Sequence, residues 1–500
     1  MRRGARGATA CAAVGLVLFY AVLQTFVLPP EGFLTGDQGP KYLQASAFAR
    51  QGLLSPDIPV LSRDIDLDLE FQDPILHRRG DRLVSAFSWL LPMLTAPFVR
   101  LLGVRGMYAI PALSVLVIFF AARNLGRKLG LGSGLWSAWT AVAATPMLFF
   151  GAELWEHAPA AACVMLAANW LAPASRPDDG GVSAGRLPRP SASARVRAEA
   201  GKLVGAGAAC GLAALFREEA GLALPALLLA RRGAGMMRVT ALAFAGAAAM
   251  FLASVPLNLA IYGSPLPLHL SSEVEKTHSY LTTRAEAIRD MILPAPGAAL
   301  FVVAIALAIG AILLTRKREA VVRVTTAHAA VGLVLAAMVA VPMWRLVTGV
   351  PAPFAGFTMS SAAHTWIVAL ALIYYAALPG NGSVRTGLAP YVLWGAVLLI
   401  LGTLAIVPSA GGAQWSPRYI ASAAPLLAVL AVAPLWTARA LPGTLGRQVT
   451  LAVSAILALS LVVQLEGPAA LRGAKRLNAG VAARTAEATA PGDVVITVVP

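Results

Sequence analysis

Charged residues are scarce in this chain, since only 13% of its 500 residues are Asp, Glu, Lys or Arg. A soluble protein carries about twice that share. Hydrophobic residues make up 58% of the chain. Apolar runs of roughly 17–22 residues recur along it, the length that a helix needs to cross the hydrocarbon core of a bilayer. The composition therefore excludes a soluble globular protein and predicts an all-α polytopic membrane protein.

Acidic residues are also few, 24 against 40 Lys and Arg, which gives a formal net charge of +16. Such a charge is often the mark of a nucleic-acid-binding protein. Here the basic residues lie mostly in short loops between apolar runs, which is the pattern of cytoplasmic loops in membrane proteins. The charge therefore reports membrane topology, and no nucleic-acid partner is expected.

Cysteine is nearly absent, and Cys11, Cys163 and Cys210 all lie inside apolar runs. No CxxC pair or other zinc-ligand spacing occurs. This excludes a disulfide framework and a cysteine-based metal site.

The apolar runs and the charged loops between them predict about thirteen spans, with the N-terminus in the cytoplasm and the C-terminus outside. Basic loops at 174–202, 231–238, 316–318 and 438–447 are expected to be cytoplasmic. The first run is expected to be an uncleaved span. The candidate apolar segments are 9–29, 84–103, 107–123, 132–150, 157–173, 203–216, 220–230, 237–261, 297–315, 320–342, 357–378, 388–408, 420–437 and 449–466.

Two of these segments need a special interpretation. The stretch 203–230 carries "FREEAG" at its centre, and a single span would bury three charges at mid-membrane. Two short helices that turn at Arg217 avoid that cost. If 174–202 is cytoplasmic, like the N-terminus, the chain must cross the membrane an even number of times before it. One of the two apolar segments in 84–123 therefore does not span. We expect 84–103, which holds two prolines, to lie at the outer interface.

An acid-rich external region, 30–106, follows the first span. Its first part, 30–83, is far longer than a connector needs to be. The pattern after Gly36–Asp37 predicts an amphipathic helix lying on the membrane, with Asp37 at its N-terminus. Asp37 is then either a plain helix cap or a functional acid. The acids of 30–83 are Glu31, Asp37, Asp57, Asp64, Asp66, Asp68, Glu70, Asp73 and Asp81.

Within this region, "SRDIDLDLEFQDP" (62–74) alternates acidic and apolar residues. As a strand it places Asp64, Asp66 and Asp68 on one face, about 6.5–7 Å apart in succession. The favoured interpretation is a strand whose acidic face is exposed to solvent. A divalent cation held by two or three of these acids is the minor alternative.

Two further polar groups stand at the outer ends of spans. "GAELWEHAPA" (151–160) offers Glu153, Trp155, Glu156 and His157, a set suited to binding a sugar or an acceptor, although charges and Trp also mark the membrane interface. In "WSPRYIASAAP" (415–425), Arg418 and Tyr419 open a late span. Arginine suits phosphate because its donors form a planar fork and its charge is permanent, and an interface anchor is again the alternative.

Five motifs, taken in their order along the chain, resemble the GT-C superfamily, the polytopic glycosyltransferases that use polyprenyl-phosphate-linked sugars. The motifs are "GDQGPKY", "GDRLVSAFSWLLPMLTAPF", "LFREEAGLALP", "YGSPLP" (262–267) and "WSPRYIASAAP". The resemblance covers most of the chain, and it is nearest to bacterial aminoarabinose and mannosyl transferases. It implies a GT-C-like transmembrane domain over 1–466, with external loops 30–106 and 262–296. It also implies a site on the outer face of the cytoplasmic membrane.

The resemblance also implies roles for single residues. Asp37 is the expected general base, and inversion at the sugar is the expected outcome. The departing lipid phosphate needs cations, for which Lys41, Arg105, Arg217 and Arg418, with Tyr419, are the candidates. Several relatives have a second acid after this aspartate, but this chain has Gln38. The second acid, the need for a divalent cation, and whether the acceptor is lipid, glycan or protein are left open.

The tail 467–500 is expected to be external. Its end, "GDVVITVVP" (492–500), has a strand pattern that fits the start of a soluble domain or a small edge strand. A polytopic transporter or lipid flippase is the main alternative function, and a non-catalytic membrane assembly protein is a weaker one. Transporters usually place ionisable residues near the bilayer midplane within repeated halves. No internal repeat is found here, and the acids are mostly external.

Overall fold

The computed structural model describes most of the chain. The described residues are 2–30, 32–53, 55, 57–58, 76–79, 82–173, 192–233, 235–266, 298–348, 366–378, 388–406 and 416–489. The acids at 64, 66 and 68, the external loop 267–296 and the strand pattern at 492–500 lie outside these residues.

The described residues are almost entirely helical, as the apolar runs predict. One antiparallel hairpin joins β1 (Leu76–Arg79) to β2 (Arg82–Ser85), with Leu76 opposite Ser85. The helices are α1 (Arg2–Val22), α2 (Gln38–Gln51), α3 (Leu90–Leu102), α4 (Ala109–Lys128), α5 (Leu135–Ala143), α6 (Met147–Phe150), α7 (His157–Leu171), α8 (Ala192–Phe216), α9 (Ala223–Ala230), α10 (Met236–Tyr262), α11 (Ala298–Thr315), α12 (Ala320–Thr348), α13 (Ala371–Ala377), α14 (Leu388–Ile406), α15 (Ala424–Ala431), α16 (Ala433–Thr437) and α17 (Gly443–Ala488).

Eight helical stretches among the described residues are long and apolar enough to cross a membrane. The predicted class, an all-α polytopic membrane protein, is confirmed. The number thirteen stays a prediction. The stretch 421–440 packs in the centre of the bundle, where most of its residues are buried, whereas the stretches near the periphery expose many apolar side chains. These stretches are Gly7–Val27, Leu90–Lys128, Val196–Phe216, Met236–Tyr262, Ala320–Met338, Leu388–Ile406, Ala421–Ala440 and Gly443–Ala488.

The structure gives the helix boundaries in the two segments that needed special interpretation, and their placement relative to the membrane stays a prediction. Within 84–103, α3 has only 13 residues. It is therefore roughly 20 Å long, short of the hydrocarbon core. A 3₁₀ turn, Gly103–Tyr108, then leads into α4. Within 203–230, the chain leaves helical geometry at Arg217, where φ is −148° and ψ is 118°. The predicted helix break at the charges is therefore present.

A helix, α2, follows Gly36–Asp37 as predicted, and its position on the membrane surface stays a prediction. Its buried face carries polar side chains, Gln38, Lys41 and Gln44, while Leu43 and Leu53 are exposed. Gln38 contacts the carboxylate of Glu153 and Lys41 pairs with that of Glu156, which makes the burial of these two side chains tolerable.

Most of the segment 467–500, which was expected to be a tail, is helical. The helix α17 has 46 residues and continues to Ala488. At 1.5 Å per residue it is about 69 Å long, roughly twice the hydrocarbon thickness. Beyond 466, buried residues such as Leu471 and Lys475 continue its packed face, and the external position of this part stays a prediction.

Helices α8 and α10 approach each other through glycines. A Cβ atom at Gly207 would overlap the carbonyl group of Ala243, and one at Gly246 would overlap that of Val204. In membranes, small residues let backbones approach and gain dispersion contacts that the lipid does not supply. These two glycines therefore fix the distance between α8 and α10.

We expect Gly207→Ala to destabilise the protein by about 1–3 kcal/mol, because the added methyl group must push two backbones apart. Gly201→Ala is the matched control on the same helix, since a Cβ at Gly201 meets nothing within 4 Å. Thermal unfolding of both purified variants in one detergent measures the difference. Equal melting temperatures for the two variants would contradict the close helix approach.

Candidate functional site

A cluster of charged side chains gathers at one end of the bundle, although its members are far apart in sequence. Its side chains come from the start of α2, the α6–α7 connection, the break after α8, the turn before α15, and α17. Ion pairs and cation–ring contacts link most of them in pairs. The ends of these helices therefore lie on the same side of the bundle, as the predicted topology requires for the first four.

Asp37 occupies the N-cap position of α2, where the sequence left it as either a cap or a functional acid. Its side chain makes no capping hydrogen bond. The carboxylate Oδ2 instead lies 3.3 Å from Nη1 of Arg418. The side chains of Asp37 and Arg418 are 25% and 19% exposed, so this pair is the accessible edge of the cluster. A ligand can therefore reach both groups.

Lys41, one turn further along α2, is buried in the cluster. Its Nζ lies 2.8 Å from Oε2 of Glu156 and 4.1 Å from the centre of the Phe87 ring. Burial lowers the pKa of Lys41, and the neighbouring carboxylates of Glu156 and Asp37 oppose that shift. The pair is only 1–3% exposed. Lys41 therefore neutralises Glu156 and lies behind Asp37 rather than at the accessible edge.

Glu153 is the centre of a second buried network. Its Oε1 lies 3.2 Å from Nζ of Lys475, and its Oε2 accepts a hydrogen bond from the Gln38 amide. Burial raises the pKa of Glu153, while Lys475 and the amide of Gln38 favour the ionised form. Gln38, the residue in place of the second acid, thus binds a carboxylate that comes from the α6–α7 connection. Because Gln38 follows Asp37 directly, this contact fixes the backbone that carries Asp37.

Arg217 stands at the break after α8. Its Nε lies 2.8 Å from Oε1 of Glu219, and its guanidinium lies 5.1 Å from the centre of the Tyr419 ring. The Arg418 guanidinium lies 5.1 Å from the same ring. Two arginines therefore share one aromatic ring beside Asp37, an arrangement suited to a doubly charged phosphate.

Trp155 and His157 are buried on the same side. The His157 ring stacks on Phe150 at 4.5 Å, and the Trp155 ring lies 5.6 Å from that of His157. Nε1 of Trp155, both ring nitrogens of His157 and Oε1 of Glu156 have no hydrogen-bond partner among the described residues. Buried polar atoms normally have partners. This group is therefore the part of the cluster with spare hydrogen-bonding capacity.

Arg105 is not brought together with the other cations. It is exposed on the 3₁₀ turn after α3 and lines a separate groove between α1 and α4. The sequence placed Arg105 near the site only by its predicted side of the membrane, which does not fix its position within that side. The residues that line this groove include neither Arg217 nor Arg418.

A metal site is not formed by the described residues, among which no group of three or more His, Cys, Asp or Glu side chains meets. Glu153 and Glu156 are each paired with a lysine. The alternative ligands Asp64, Asp66 and Asp68 fall outside the described residues. A divalent cation at those acids stays a prediction.

Lys475 and Tyr108 are the members of the cluster that sequence reasoning missed. Lys475 donates to the Tyr108 hydroxyl as well as to Glu153. A signal was available, because Gln464, inside the last predicted span, is followed at helical spacing by Leu471 and Lys475, which lie beyond it. That periodicity extends the helix past 466 and gives Lys475 the same face as its core residues.

The fold and this cluster define a polytopic helical membrane protein with a charged site at one end of its helices. No family model matches the chain, and no curated protein matches it. The chain is similar to a solved structure of ArnT from Cupriavidus metallidurans bound to undecaprenyl phosphate, with 14% identity and a TM-score of 0.47 over 95% of this chain and 79% of the other.

It is also similar to structures of an oligosaccharyltransferase from Archaeoglobus fulgidus. One, a complex with Zn and sulfate, has 13% identity and a TM-score of 0.44, and covers 92% of this chain. Another, with an inhibitory peptide and a dolichol-phosphate, has 11% identity and a TM-score of 0.41 over 92% of this chain. The chain spans about half the length of the archaeal protein, 53% and 56% in the two structures.

Proposed function

We propose that this protein is a membrane glycosyltransferase that moves a sugar from a polyprenyl-phosphate donor to an acceptor at the outer face of the cytoplasmic membrane. The observation that carries the proposal is the Asp37–Arg418 pair. It places a carboxylate that makes no helix-capping bond beside an arginine, at the accessible edge of an otherwise buried ionic cluster. A general base and a phosphate-binding cation are the two groups that this transfer needs.

In the proposed reaction, an acceptor hydroxyl attacks the anomeric carbon of the donor sugar. Asp37 accepts the hydroxyl proton, and the new bond joins the acceptor oxygen to the anomeric carbon. The bond between that carbon and the phosphate oxygen breaks, and its electron pair leaves with the polyprenyl phosphate. Attack from the face opposite the leaving phosphate inverts the anomeric configuration.

Arg418 and Arg217 are proposed to bind the donor phosphate and to stabilise the charge that grows on it. Arg418 also pairs with Asp37. A phosphate that draws Arg418 toward itself would therefore release Asp37 for proton transfer, so that donor binding prepares the base. Tyr419, whose ring lies beside both guanidinium groups, positions them.

The donor's isoprenoid chain needs an apolar path that begins near these arginines. A groove of about 430 Å³ between α8, α9 and α10 has walls of apolar side chains such as Leu224, Phe244 and Phe251. Its lining also includes Glu218, the residue directly after Arg217. We assign this groove to the donor chain, and we assign the unpartnered atoms of Trp155, Glu156 and His157 to recognition of the sugar or acceptor.

The function is tested by lipid analysis of a strain from which the gene is deleted. A glycosyltransferase predicts that a polyprenyl-phosphate-linked sugar accumulates and that an envelope component loses that sugar. Accumulation of an unmodified lipid in one leaflet, with no polyprenyl-linked sugar, would instead support the flippase alternative. The accumulated lipid also supplies the donor for assays in vitro.

We expect Arg418→Gln to weaken binding of undecaprenyl phosphate by about tenfold or more, because a hydrogen bond to a charged group is lost. Arg439→Gln is the matched control, since Arg439 is exposed and stacks on Trp436 at the other end of the 421–440 stretch. Binding to the purified full chain in detergent is the measurement. Equal affinity of both variants for the probe would remove Arg418 from the phosphate site.

A further inference from the structure

The segment 32–38 leads into α2 and carries Asp37. Its own backbone forms a turn in which the Gln38 N–H donates to the Thr35 carbonyl at 3.3 Å, which is long for a hydrogen bond of this kind. A Cβ atom at Gly36 would meet nothing within 4 Å, so the side of the chain next to Asp37 is open. The position of Asp37 therefore depends on the contacts that the rest of the segment makes with other elements.

One face of α17 holds the start of this segment. A Cβ atom at Gly32 would overlap the carbonyl group of Lys475, so the two backbones are in direct contact. About one turn further along α17, the side-chain amide of Asn478 donates to the Phe33 carbonyl at 2.6 Å. Residues three positions apart on a helix lie on the same face. The face of α17 that carries Lys475 into the buried network therefore also holds two residues of the segment.

The middle of the segment connects it to the buried network a second time. Leu34 is buried, and its N–H donates to Oε1 of Gln38 at 2.7 Å. The Gln38 amide donates in turn to Glu153, and Glu153 pairs with Lys475. These contacts form a closed ring, from α17 through the segment to Glu153 and back to α17. Because Asp37 directly precedes Gln38, the ring sets the backbone from which the Asp37 side chain projects.

We infer that the end of α17 positions Asp37 for the transfer, and that Asn478 and Gly32 are positioning residues that act through Asp37. This inference rests on the proposed function, and it deepens that function by assigning a part in it to α17. A general base must come within hydrogen-bond distance of the acceptor hydroxyl, and a displacement of about 1 Å can cost about 10²-fold in rate. Loss of either contact therefore slows the chemical step.

The first test is Asn478→Ala in the purified full chain, assayed with the donor lipid and the unmodified acceptor from the deletion strain. Asn478 is exposed, so its replacement leaves the core of the bundle intact. We expect kcat to fall by about tenfold. The KM for the donor and the affinity for undecaprenyl phosphate should stay the same, because Arg217 and Arg418 belong to other elements. Asn478→Gln keeps the amide donor and should recover most of the rate. Leu477→Ala, at a neighbouring side chain that is 65% exposed, is the matched control.

A second variant, Gly32→Ala, moves the backbone of the segment itself. The added methyl group cannot share the space of the Lys475 carbonyl, so the segment must shift away from α17. We expect kcat to fall by up to about 10²-fold, again with unchanged affinity for undecaprenyl phosphate. Gly39→Ala is the matched control, since a Cβ atom at Gly39 would meet nothing within 4 Å.

A double-variant cycle shows whether Asn478 acts through Asp37. An Asp37→Asn protein has already lost the base, so adding Asn478→Ala to it should cause no further loss of the residual rate. If the two losses multiply instead, Asn478 acts on the reaction by another route and the inference is wrong. An unchanged kcat in Asn478→Ala, or an equal loss in Leu477→Ala, also overturns it.

Hydrogen exchange at the backbone amides of 32–38 measures the hold of α17 on the segment without any substrate. We expect exchange to be about tenfold faster in Asn478→Ala than in Leu477→Ala, because the segment opens more often once the contact is lost. If exchange is faster but an Asp37→Asn protein transfers sugar at the original rate, α17 holds the segment and the proposed function fails at its base. Unchanged exchange in Asn478→Ala means that the contact does not hold the segment, and the inference fails whatever the transfer assay shows.

Discussion

Replacing Asp37 by asparagine is expected to lower the rate of sugar transfer by about 10²–10⁴-fold, the usual contribution of a general base. Asparagine keeps the shape of the side chain but cannot accept the acceptor's proton. The Asp37–Arg418 pair is partly exposed, and such pairs contribute little to stability, about 0–1 kcal/mol. Asparagine is also a good N-cap residue for α2. The variant should therefore fold normally while losing activity.

The measurement is transfer by the purified full chain, with the donor lipid that the deletion strain accumulates. Glu487→Gln is the control for the loss of one acid, because Glu487 is exposed near the end of α17. Binding of undecaprenyl phosphate to the Asp37→Asn variant shows whether the donor site is intact. Transfer at the original rate by a folded Asp37→Asn protein would eliminate Asp37 as the base.

Replacing Lys475 by methionine is expected to have the largest effect on stability, about 3–5 kcal/mol. Both Lys475 and Glu153 have fully buried side chains, and removal of the lysine leaves the Glu153 carboxylate without its cation. The Gln38 contact would remain, but a neutral amide does not balance a buried charge. We therefore expect a clearly lower melting temperature in detergent and a loss of transfer activity.

The double variant Lys475→Met with Glu153→Gln separates the charge from the packing. It removes both charges while keeping side chains of similar size, and replacing a buried pair in this way is often close to neutral for stability. The double variant should therefore recover most of the lost melting temperature. A single Lys475→Met variant as stable as the original protein would mean that the lysine does not neutralise Glu153.

The sequence predicted much of the candidate site, and it did so through the ends of the spans. Asp37, Glu156, Arg217 and Arg418 are candidates from their places beside apolar runs and from the resemblance to the GT-C superfamily. The structure places them in one cluster. Their pairing was not predictable, because nothing in the local spacing says that Lys41 binds Glu156 while Asp37 binds Arg418.

The face of α2 shows the limit of pattern reasoning. The pattern after Asp37 predicted an amphipathic helix, but the face that packs in the bundle carries the polar side chains of Gln38 and Lys41, which contact Glu153 and Glu156. The periodicity of the sequence identifies the helix, but it does not identify the side chains that contact each of its faces. Whether a buried polar face is stable depends on charges that lie more than a hundred residues away in the chain.

The sequence by itself determined that this chain is a helical membrane protein, that its apolar runs form helices, and that charged residues stand next to those runs. These properties depend on local hydrophobicity, which every segment carries in its own residues. Only the tertiary structure decided that Lys475 returns to Glu153, that Arg105 lies on another groove, and that Asp37 faces an arginine instead of capping α2. Those outcomes depend on how the helices pack, because packing sets which buried charges find a partner.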